Sequence, residues 1–284
     1  DKGIFMKNSK FQISNSILNP PISPDNPPTS PFYKGGQRGI LKGDRGGLYV
    51  FIVLCFLFFS LDVKAEPRIP EKLVYNVYWS GIKAGSAFLE VENTPEGIRI
   101  ISRATSAPVI SIFYKVEDIA QSILYPDGYP SSYTLKISEG KHRRDKTTLF
   151  GTKSDEEPQK VIYSNKLENE TMEFNLEKQA FDPLSGFYAI RKRQLVVGQS
   201  EFIDIFDSKK LWRSEVQILR KEHISTPAGE FDTIVVKPIL QSEGIFMKKG
   251  EIYIWLTDDE QKVPVMMKGK VKIGSIIAKL VSKN

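Results

Sequence analysis

Cysteine and histidine are almost missing from this sequence. Its 284 residues include one cysteine, Cys55, and two histidines, His142 and His223. A disulfide framework needs cysteines in pairs, and a structural zinc ion needs a set of Cys or His ligands held together. The sequence therefore excludes a disulfide scaffold and offers no zinc site, and we predict no cofactor.

A large excess of one charge is missing from most of the chain. The whole sequence has a formal net charge of +6, but residues 1–65 hold 8 Lys and Arg against 4 Asp and Glu. Residues 66–284 therefore carry only +2, with 32 basic residues against 30 acidic ones. Nucleic-acid binding needs a dense cluster of Lys and Arg, and the basic runs at 141–144 and 191–193 are short. We interpret these runs as a solvated turn and a helix end, and we predict no nucleic-acid partner.

Long apolar runs are also missing, except for one of twelve residues, Leu48–Phe59. A transmembrane helix takes about 20 apolar residues, so this run is short for a span. It follows the basic residues Lys42 and Arg45 and precedes Val63-Lys64-Ala65, which is the order of a secretory signal with its cleavage site. We predict that residues 48–65 are a cleaved signal peptide, with an uncleaved anchor as the alternative. The expected location is the periplasm, with membrane contact only through this segment.

The parts before and after this signal differ in composition. Residues 1–47 are rich in proline and glycine between 19 and 47 and have no apolar periodicity. Such a segment cannot bury enough apolar surface to fold. We predict a disordered low-complexity leader over 1–47 and a single folded domain over 66–284.

Period-two alternation of apolar and polar residues begins at Leu73 and is interrupted by turn residues at short intervals. This pattern predicts half-buried antiparallel strands. An open sheet of about a dozen strands has unpaired edges, which favours closure. We therefore predict an all-β fold, a large antiparallel meander forming a closed or half-open barrel. The strands are expected near 73–79, 87–91, 98–102, 116–124, 131–138, 144–150, 159–164, 169–176, 200–206, 211–224, 231–240, 249–256, 263–270 and 272–281, with a helical turn over 108–114.

One short helix is predicted at about 183–193. Asp182 is a good N-cap, and Pro183 suits the first helical position because its missing N–H costs nothing there. Phe187 and Tyr188 lie on the face that can be buried, since side chains three and four residues apart are neighbours on a helix. The helix is therefore expected to dock on the sheet or to plug a barrel mouth.

Four short motifs occur in a characteristic order between residues 71 and 281. They are Tyr75-x-Val77-x-Trp79-x-Gly81-x-x-x-Gly85, Asp182-Pro183-Leu184-Ser185, Thr226-Pro227-Ala228-Gly229-x-Phe231, and Trp255-Leu256-Thr257-x-Asp259 with Val263-Pro264-Val265. In these motifs the chain resembles the DUF3108 family of exported bacterial proteins, a domain of unknown function. The resemblance implies an exported, β-rich, barrel-like domain, loosely similar to the half-barrels of lipoprotein carriers. It supplies no catalytic residues.

Catalytic constellations are weak in the sequence. A hydrolase needs a nucleophile, a base and an orienting group. Ser185 lies three residues after Asp182, which is the spacing of a helix cap. The acid pairs 117–118 and 258–259 are adjacent in sequence, and adjacent strand residues point to opposite faces. We predict that the protein is not an enzyme, and a hydrolase ranks third among the interpretations.

Aromatic side chains are numerous, and an apolar pocket with a few polar groups is the usual form of a small-molecule site. Our first hypothesis is a periplasmic domain that binds a lipid, a lipoprotein or another apolar envelope ligand on a concave face roofed by the helix. The predicted ligand-binding residues are Trp79, Asp182, Tyr188, Arg191 and Trp255. The alternative is a packed core in a non-enzymatic interaction or scaffold module of cell-envelope assembly, which would use an exposed sheet edge.

Overall fold

The computed structural model describes residues 67–154, 157–239, 251–271 and 274–284, so the predictions for residues 1–65 lie outside the described residues. Within these ranges the chain forms strands and two short helices. The strands are β1 (Glu71–Trp79), β2 (Ile82–Thr94), β3 (Gly97–Ser106), β4 (Glu117–Leu124), β5 (Pro130–Glu139), β6 (His142–Phe150), β7 (Gln159–Asn165), β8 (Glu170–Leu176), β9 (Ser200–Asp207), β10 (Lys210–Thr226), β11 (Gly229–Ile239), β12 (Ile252–Thr257), β13 (Pro264–Lys270) and β14 (Ser275–Lys283), and the helices are α1 (Pro108–Ser111) and α2 (Pro183–Arg191).

The strands make one antiparallel sheet from two meanders joined in the middle. Its order is β8-β7-β6-β5-β4-β3-β2-β1-β14-β13-β12-β11-β10-β9. The first and last strands pair at the centre, with Tyr75 opposite Leu280. The predicted all-β meander is confirmed. The sheet does not close into a barrel. Its two outer strands, β8 and β9, are not paired with each other, although they are consecutive in the chain.

Alternating burial explains the strand positions. In β7, Val161 and Tyr163 are buried and Lys160 is exposed, as expected for side chains that point alternately to the core and to solvent. The observed strands match the predicted ones to within a few residues. The predicted strand residues 240, 249–250 and 272–273 lie outside the described residues.

Helix α2 begins where the sequence predicts and ends two residues earlier. The Asp182 side chain accepts hydrogen bonds from the backbone N–H groups of Leu184 and Ser185, and the Ser185 hydroxyl accepts one from the Asp182 N–H, so the capping box is complete. Arg193 lies beyond the helix because its guanidinium donates to the Phe202 carbonyl oxygen of β9 at 2.9 Å. Helix α1 is also shorter than the predicted turn over 108–114 and ends at Ser111.

The core consists of three apolar clusters, and α2 contributes buried residues to two of them. Tyr188 belongs to the cluster that contains Leu73 and Leu280 at the centre of the sheet. Ile190 belongs to a second cluster with strands β9 to β12. Gly186 allows close packing on β9, since a Cβ at this position would lie 3.1 Å from Ile205 Cδ1. The helix therefore docks on the sheet as part of its core.

Candidate functional site

A buried ion pair ties α2 to the first strand. The Arg191 side chain is 0% exposed, and its two terminal nitrogens donate to the two Glu71 carboxylate oxygens at 2.7 Å each. Arg191 Nε also donates to the Lys262 carbonyl oxygen at 3.0 Å, and its Nη2 donates to that of Gln261 at 3.0 Å. A bidentate pair with further carbonyl acceptors is the geometry that offsets the cost of burying charge. The arrangement fixes the C-terminal end of α2 to β1 and to the turn between β12 and β13.

Two tyrosines surround this ion pair. The Tyr188 hydroxyl donates to Glu71 Oε2 at 2.9 Å, and its ring lies 4.7 Å from Arg191 Cζ. The Tyr75 hydroxyl donates to the Pro264 carbonyl oxygen at 2.7 Å. Burial raises the pKa of both tyrosines, and the Glu71 carboxylate adds to the rise. Burial opposes the charge on Arg191, but the hydrogen bonds that Arg191 donates to Glu71, together with the nearby Tyr188, Glu71 and Tyr75 groups, outweigh it and raise the pKa of Arg191. Both tyrosines stay neutral and Arg191 stays charged.

A second buried carboxylate lies at the other end of α2. Asp182 is 0% exposed, and Oδ2 accepts hydrogen bonds from Ser122 Oγ at 2.6 Å and Ser185 Oγ at 2.7 Å. Its Oδ1 accepts the N–H groups of Leu184 and Ser185. Burial raises the pKa of Asp182, and these four hydrogen bonds oppose that rise. The site connects α2 to β4, and its donors are those of a helix cap, as the sequence predicts for Ser185.

The structure brings four of the five predicted ligand-binding residues into the core. Asp182, Tyr188 and Arg191 all hold α2 to the sheet, and Trp255 is 5% exposed in the same apolar cluster as Tyr188. Trp79 ends β1, eight residues away from Glu71, and is 42% exposed. The five residues therefore do not form one open pocket lining. Their contact with a ligand stays a prediction.

Sequence reasoning missed Glu71, the partner of Arg191. A signal was present, because Glu71 precedes Leu73 and Tyr75 at a spacing of two. Residues at that spacing share one face of a strand, so the pattern places a carboxylate on the buried face of β1. A buried carboxylate requires a cation or several donors. Arg191 could not be chosen as that cation from spacing alone, since it lies 120 residues further along the chain.

An open groove lies at the seam between the two unpaired edges of the sheet. Its volume is about 400 Å³, and Leu176 of β8 and Leu211 of β10 supply its apolar side chains. Charged side chains of both signs share the lining. The lining residues are Asn175, Leu176, Glu177, Lys178, Asp204, Leu211 and Arg213.

The seam is bridged on both sides of this groove. On one side, Lys209 Nζ and Glu170 Oε2 form an ion pair at 2.5 Å between the β9–β10 turn and β8. On the other side, Phe181 makes a parallel bridge to Ile205 of β9. The Ala180 N–H donates to Gln159 Oε1 of β7 at 2.9 Å, which ties the same segment to the opposite half of the sheet. These contacts connect the two edges around the groove. Asp204 and Arg213 are opposite each other on the paired strands β9 and β10, but the β8 side of the groove is paired with neither strand, so no sequence pattern places the two sides together.

Metal binding and membrane crossing receive no support from the described part of the chain. In those residues no group of three or more His, Cys, Asp and Glu side chains is placed to hold a metal ion. The same residues contain no helix that is long and apolar enough to span a membrane.

The fold defines the class of protein: an open, barrel-like antiparallel sheet with one capped helix docked on it. A crystal structure of a β-barrel-like protein of the domain of unknown function DUF1849, from Brucella abortus, is similar to this fold. It aligns with a TM-score of 0.53 at 11% identity, over 78% of this chain and 99% of that chain. A candidate exported protein with a YmcC-like fold from Bacteroides fragilis aligns with a TM-score of 0.32 at 13% identity, over 77% of this chain and 97% of that chain.

The particular family follows from the sequence itself. Residues 74–281 match the family described as protein of unknown function (DUF3108), and the chain belongs to this family. The match confirms the resemblance seen in the four motifs. No curated protein matches the chain.

Proposed function

We propose that this protein is an exported, non-enzymatic domain of the periplasm that binds one amphipathic lipid of the cell envelope in the groove at the open seam. The observation that carries the proposal is the groove itself, where the apolar side chains of Leu176 and Leu211 lie within a ring of charged ones. The apolar run and cleavage motif at 48–65 support export.

The size of the groove suits one apolar chain. Ligand pockets in proteins range from about 300 to 1,000 Å³, and this groove has about 400 Å³. An acyl chain placed along it would cover Leu176 and the half-buried Leu211. Because the groove is open to solvent, the head group of such a ligand can remain hydrated at the rim.

The charges on the rim suggest a head group with both signs. Lys178 and Arg213 are cations that can bind a phosphate, and Glu177 and Asp204 are carboxylates that can bind an ammonium group. A purely anionic head group would be attracted by the first two and repelled by the other two. A zwitterionic phospholipid with one chain in the groove therefore fits this rim best.

Lipid extraction of the purified full-length protein, followed by mass spectrometry, tests the proposal. We compare the unchanged chain with Leu211→Arg, which places a cation on the groove floor, and with Leu149→Arg on the exposed face of β6. The apolar segment at 48–59 is present in all three proteins, so any lipid that it binds contributes equally to the three extracts. We expect about a tenfold lower lipid occupancy for Leu211→Arg and no change for Leu149→Arg.

Folding must be intact in each variant for this comparison. Circular dichroism and a thermal unfolding curve provide that control. Equal lipid recovery from the Leu211→Arg and Leu149→Arg proteins would show that no lipid occupies the groove. A preference for phosphatidylglycerol over phosphatidylethanolamine in the extract would contradict the zwitterionic head group.

A second candidate function uses the edge of β8. Among the described residues, β8 pairs with β7 alone, so its outer edge presents backbone groups to solvent. Such an edge can accept an extended peptide as an added strand. In that case the protein would be an interaction module, and Met172→Pro on β8, at a residue that does not line the groove, should abolish capture of a partner segment while lipid recovery stays unchanged.

A further inference from the structure

Exposed apolar side chains gather at the end of the sheet that lies away from α2. Strand β1 runs from Glu71, which contacts α2, to Trp79, about 26 Å further along a nine-residue strand. Near Trp79 five large apolar side chains are exposed, and we name them the apolar tip. Their exposed fractions are 42% for Trp79, 67% for Ile82, 69% for Val109, 76% for Ile112 and 85% for Phe113.

Backbone contacts hold the segments of the apolar tip side by side. Trp79 and Ile82 are opposite each other across the β1–β2 turn. The Ala107 N–H donates to the Ala84 carbonyl oxygen at 2.7 Å, which places the start of α1 against β2. The side chains of α1 and of the turn after it are therefore next to Ile82. Single exposed apolar residues are normal on a protein surface, but a contiguous group marks an interaction site.

A basic turn lies directly beside the apolar tip. The Gly140 N–H donates to the Lys115 carbonyl oxygen at 2.8 Å, and the Tyr114 ring packs on Gly140, where a Cβ would lie 2.7 Å from Tyr114 Cε2. Gly140 also has φ +53, which favours glycine. The following residues Lys141, His142 and Arg143 are all exposed, and we name them the basic turn.

The charges around the apolar tip are mostly positive. The segments 79–85, 107–118 and 139–144 contain five Lys and Arg and three carboxylates. One carboxylate, Glu117, is paired with Lys115 at 3.0 Å, and the other two, Asp118 and Glu139, are hydrogen-bonded to each other. The exposed surface next to the apolar side chains is thus basic.

We propose that the apolar tip and the basic turn together dock on the surface of an anionic lipid bilayer. Exposed aromatic and aliphatic side chains with Lys and Arg at their border are the composition that binds at a membrane interface, because the apolar groups enter the head-group region and the cations meet lipid phosphates. A second copy of this chain would bring the same positive charges together, so self-association is disfavoured. This surface is separate from the groove at the seam, and the proposal does not depend on the proposed lipid ligand.

The depth of residue 113 in the bilayer tests this proposal on the full-length protein. We place a tryptophan in the apolar tip by Phe113→Trp, and at an exposed leucine of β6, outside both the apolar tip and the groove, by Leu149→Trp. Both proteins are added to vesicles of phosphatidylglycerol and phosphatidylcholine with brominated acyl chains, which quench tryptophan at membrane depth. We expect the emission added by Phe113→Trp to be mostly lost, while that added by Leu149→Trp is retained.

Every variant carries the apolar run at 48–59, so quenching at the two tryptophan positions is compared with the same run present. Equal quenching at 113 and 149, or no quenching at 113, would overturn the proposal. Quenching of the same size in vesicles of phosphatidylcholine alone would show that docking does not require anionic lipid and would contradict that part of the proposal.

Charge reversal provides the matched control. In the Phe113→Trp protein, Lys141→Glu with Arg143→Glu should relieve the quenching, whereas Lys192→Glu with Arg220→Glu, an identical change of net charge away from the apolar tip, should not. Light scattering in the absence of lipid tests whether a second copy of the chain covers the apolar tip instead. A dimer that disappears in Phe113→Ser would show that a second copy, rather than a bilayer, covers the apolar tip.

Discussion

The two ends of the sheet differ in which side chains they bury: one end buries charged side chains, and the other exposes apolar ones. At the α2 end, Arg191 is fully buried and is bonded to Glu71 on both carboxylate oxygens. At the other end, Phe113 is 85% exposed and Lys141 lies in an exposed turn beside it. The polar groups of the first end hold α2 to the sheet, whereas the apolar groups of the second end are exposed to solvent. The comparison separates residues that fix the helix in the fold from residues that lie at the surface.

The largest effect is expected from breaking the buried ion pair. Arg191→Met leaves Glu71 charged, buried and without its cation, so the free energy of unfolding should fall by about 3–5 kcal/mol. Chemical denaturation followed by circular dichroism measures this loss. Arg191→Met combined with Glu71→Leu removes both charges and should recover much of it. If the double variant were as unstable as the single one, packing rather than charge would be the main contribution of this site.

A smaller loss is expected from the cap of the same helix. Asp182→Ala removes the acceptor of two backbone N–H groups and of the buried Ser122 hydroxyl. The loss of a cap together with an unsatisfied buried donor should cost about 2–3 kcal/mol. Ser122→Ala removes one of the four hydrogen bonds and should cost less in the same denaturation experiment. If both substitutions lowered the free energy of unfolding equally, the hydrogen bond from Ser122 of β4, rather than the cap of the helix, would be the main contribution of this site.

The apolar end contains one carboxylate whose substitution should stabilise the protein. Burial, followed by the hydrogen bond and charge of Asp118, raises the pKa of Glu139 from 4.5 to about 7. Because the pKa is raised by folding, this group contributes its full stability below about pH 4.5, and that contribution is lost as the pH rises through 7. Glu139→Gln does not ionise, so it should raise the unfolding free energy at pH 8 by about 1 kcal/mol, after allowance for solvent screening of a half-exposed group.

The same substitution should have almost no effect at pH 4, where Glu139 is protonated in both states. Denaturation curves at the two pH values measure the difference. The exposed Glu168→Gln is the control for the loss of one carboxylate elsewhere on the surface. A stabilisation by Glu139→Gln that is equal at both pH values would contradict a raised pKa.

The smallest effect is expected at the exposed apolar end. Phe113→Ser should change the unfolding free energy by no more than about 0.5 kcal/mol, because the ring is in solvent in the folded and the unfolded protein. Phe150→Ala, at a 2% exposed phenylalanine of β6, should cost about 3–5 kcal/mol in the same experiment. A large loss for Phe113→Ser would contradict the separation of the two ends.

Local patterns predicted the strands and the helix of this protein because their causes lie within a few residues. The alternation around Val161 and Tyr163 and the capping box of Asp182 and Ser185 are examples. The joining of β1 to β14 and the failure of β8 to meet β9 could not be predicted in this way. Period-two alternation tells which face of a strand is buried but does not tell which strand lies beside it.

The candidate sites also depend on contacts that local sequence patterns do not predict. The exposure of Phe113 is invisible in sequence, since an apolar helical turn over 108–114 is equally compatible with the core. The groove depends on Leu176 and Leu211, which belong to strands on opposite sides of the open seam. Trp255 and Tyr188 were predicted to bind a ligand on a concave face, and both are buried in the core, because sequence spacing gives no information on whether the interior is open or filled.

The pairing of β1 with β14 has a consequence for the order of folding. The first strand of the domain has its hydrogen-bond partner at the last strand, and Glu71 at its start has its cation about two-fifths of the chain later. Contacts so distant in sequence form slowly, since the whole intervening chain must be available before they can close. A chain that is still being synthesised therefore cannot complete this sheet until its last strand is available. The centre of the sheet, where β1 meets β14, can form only when all the other strands have already been made.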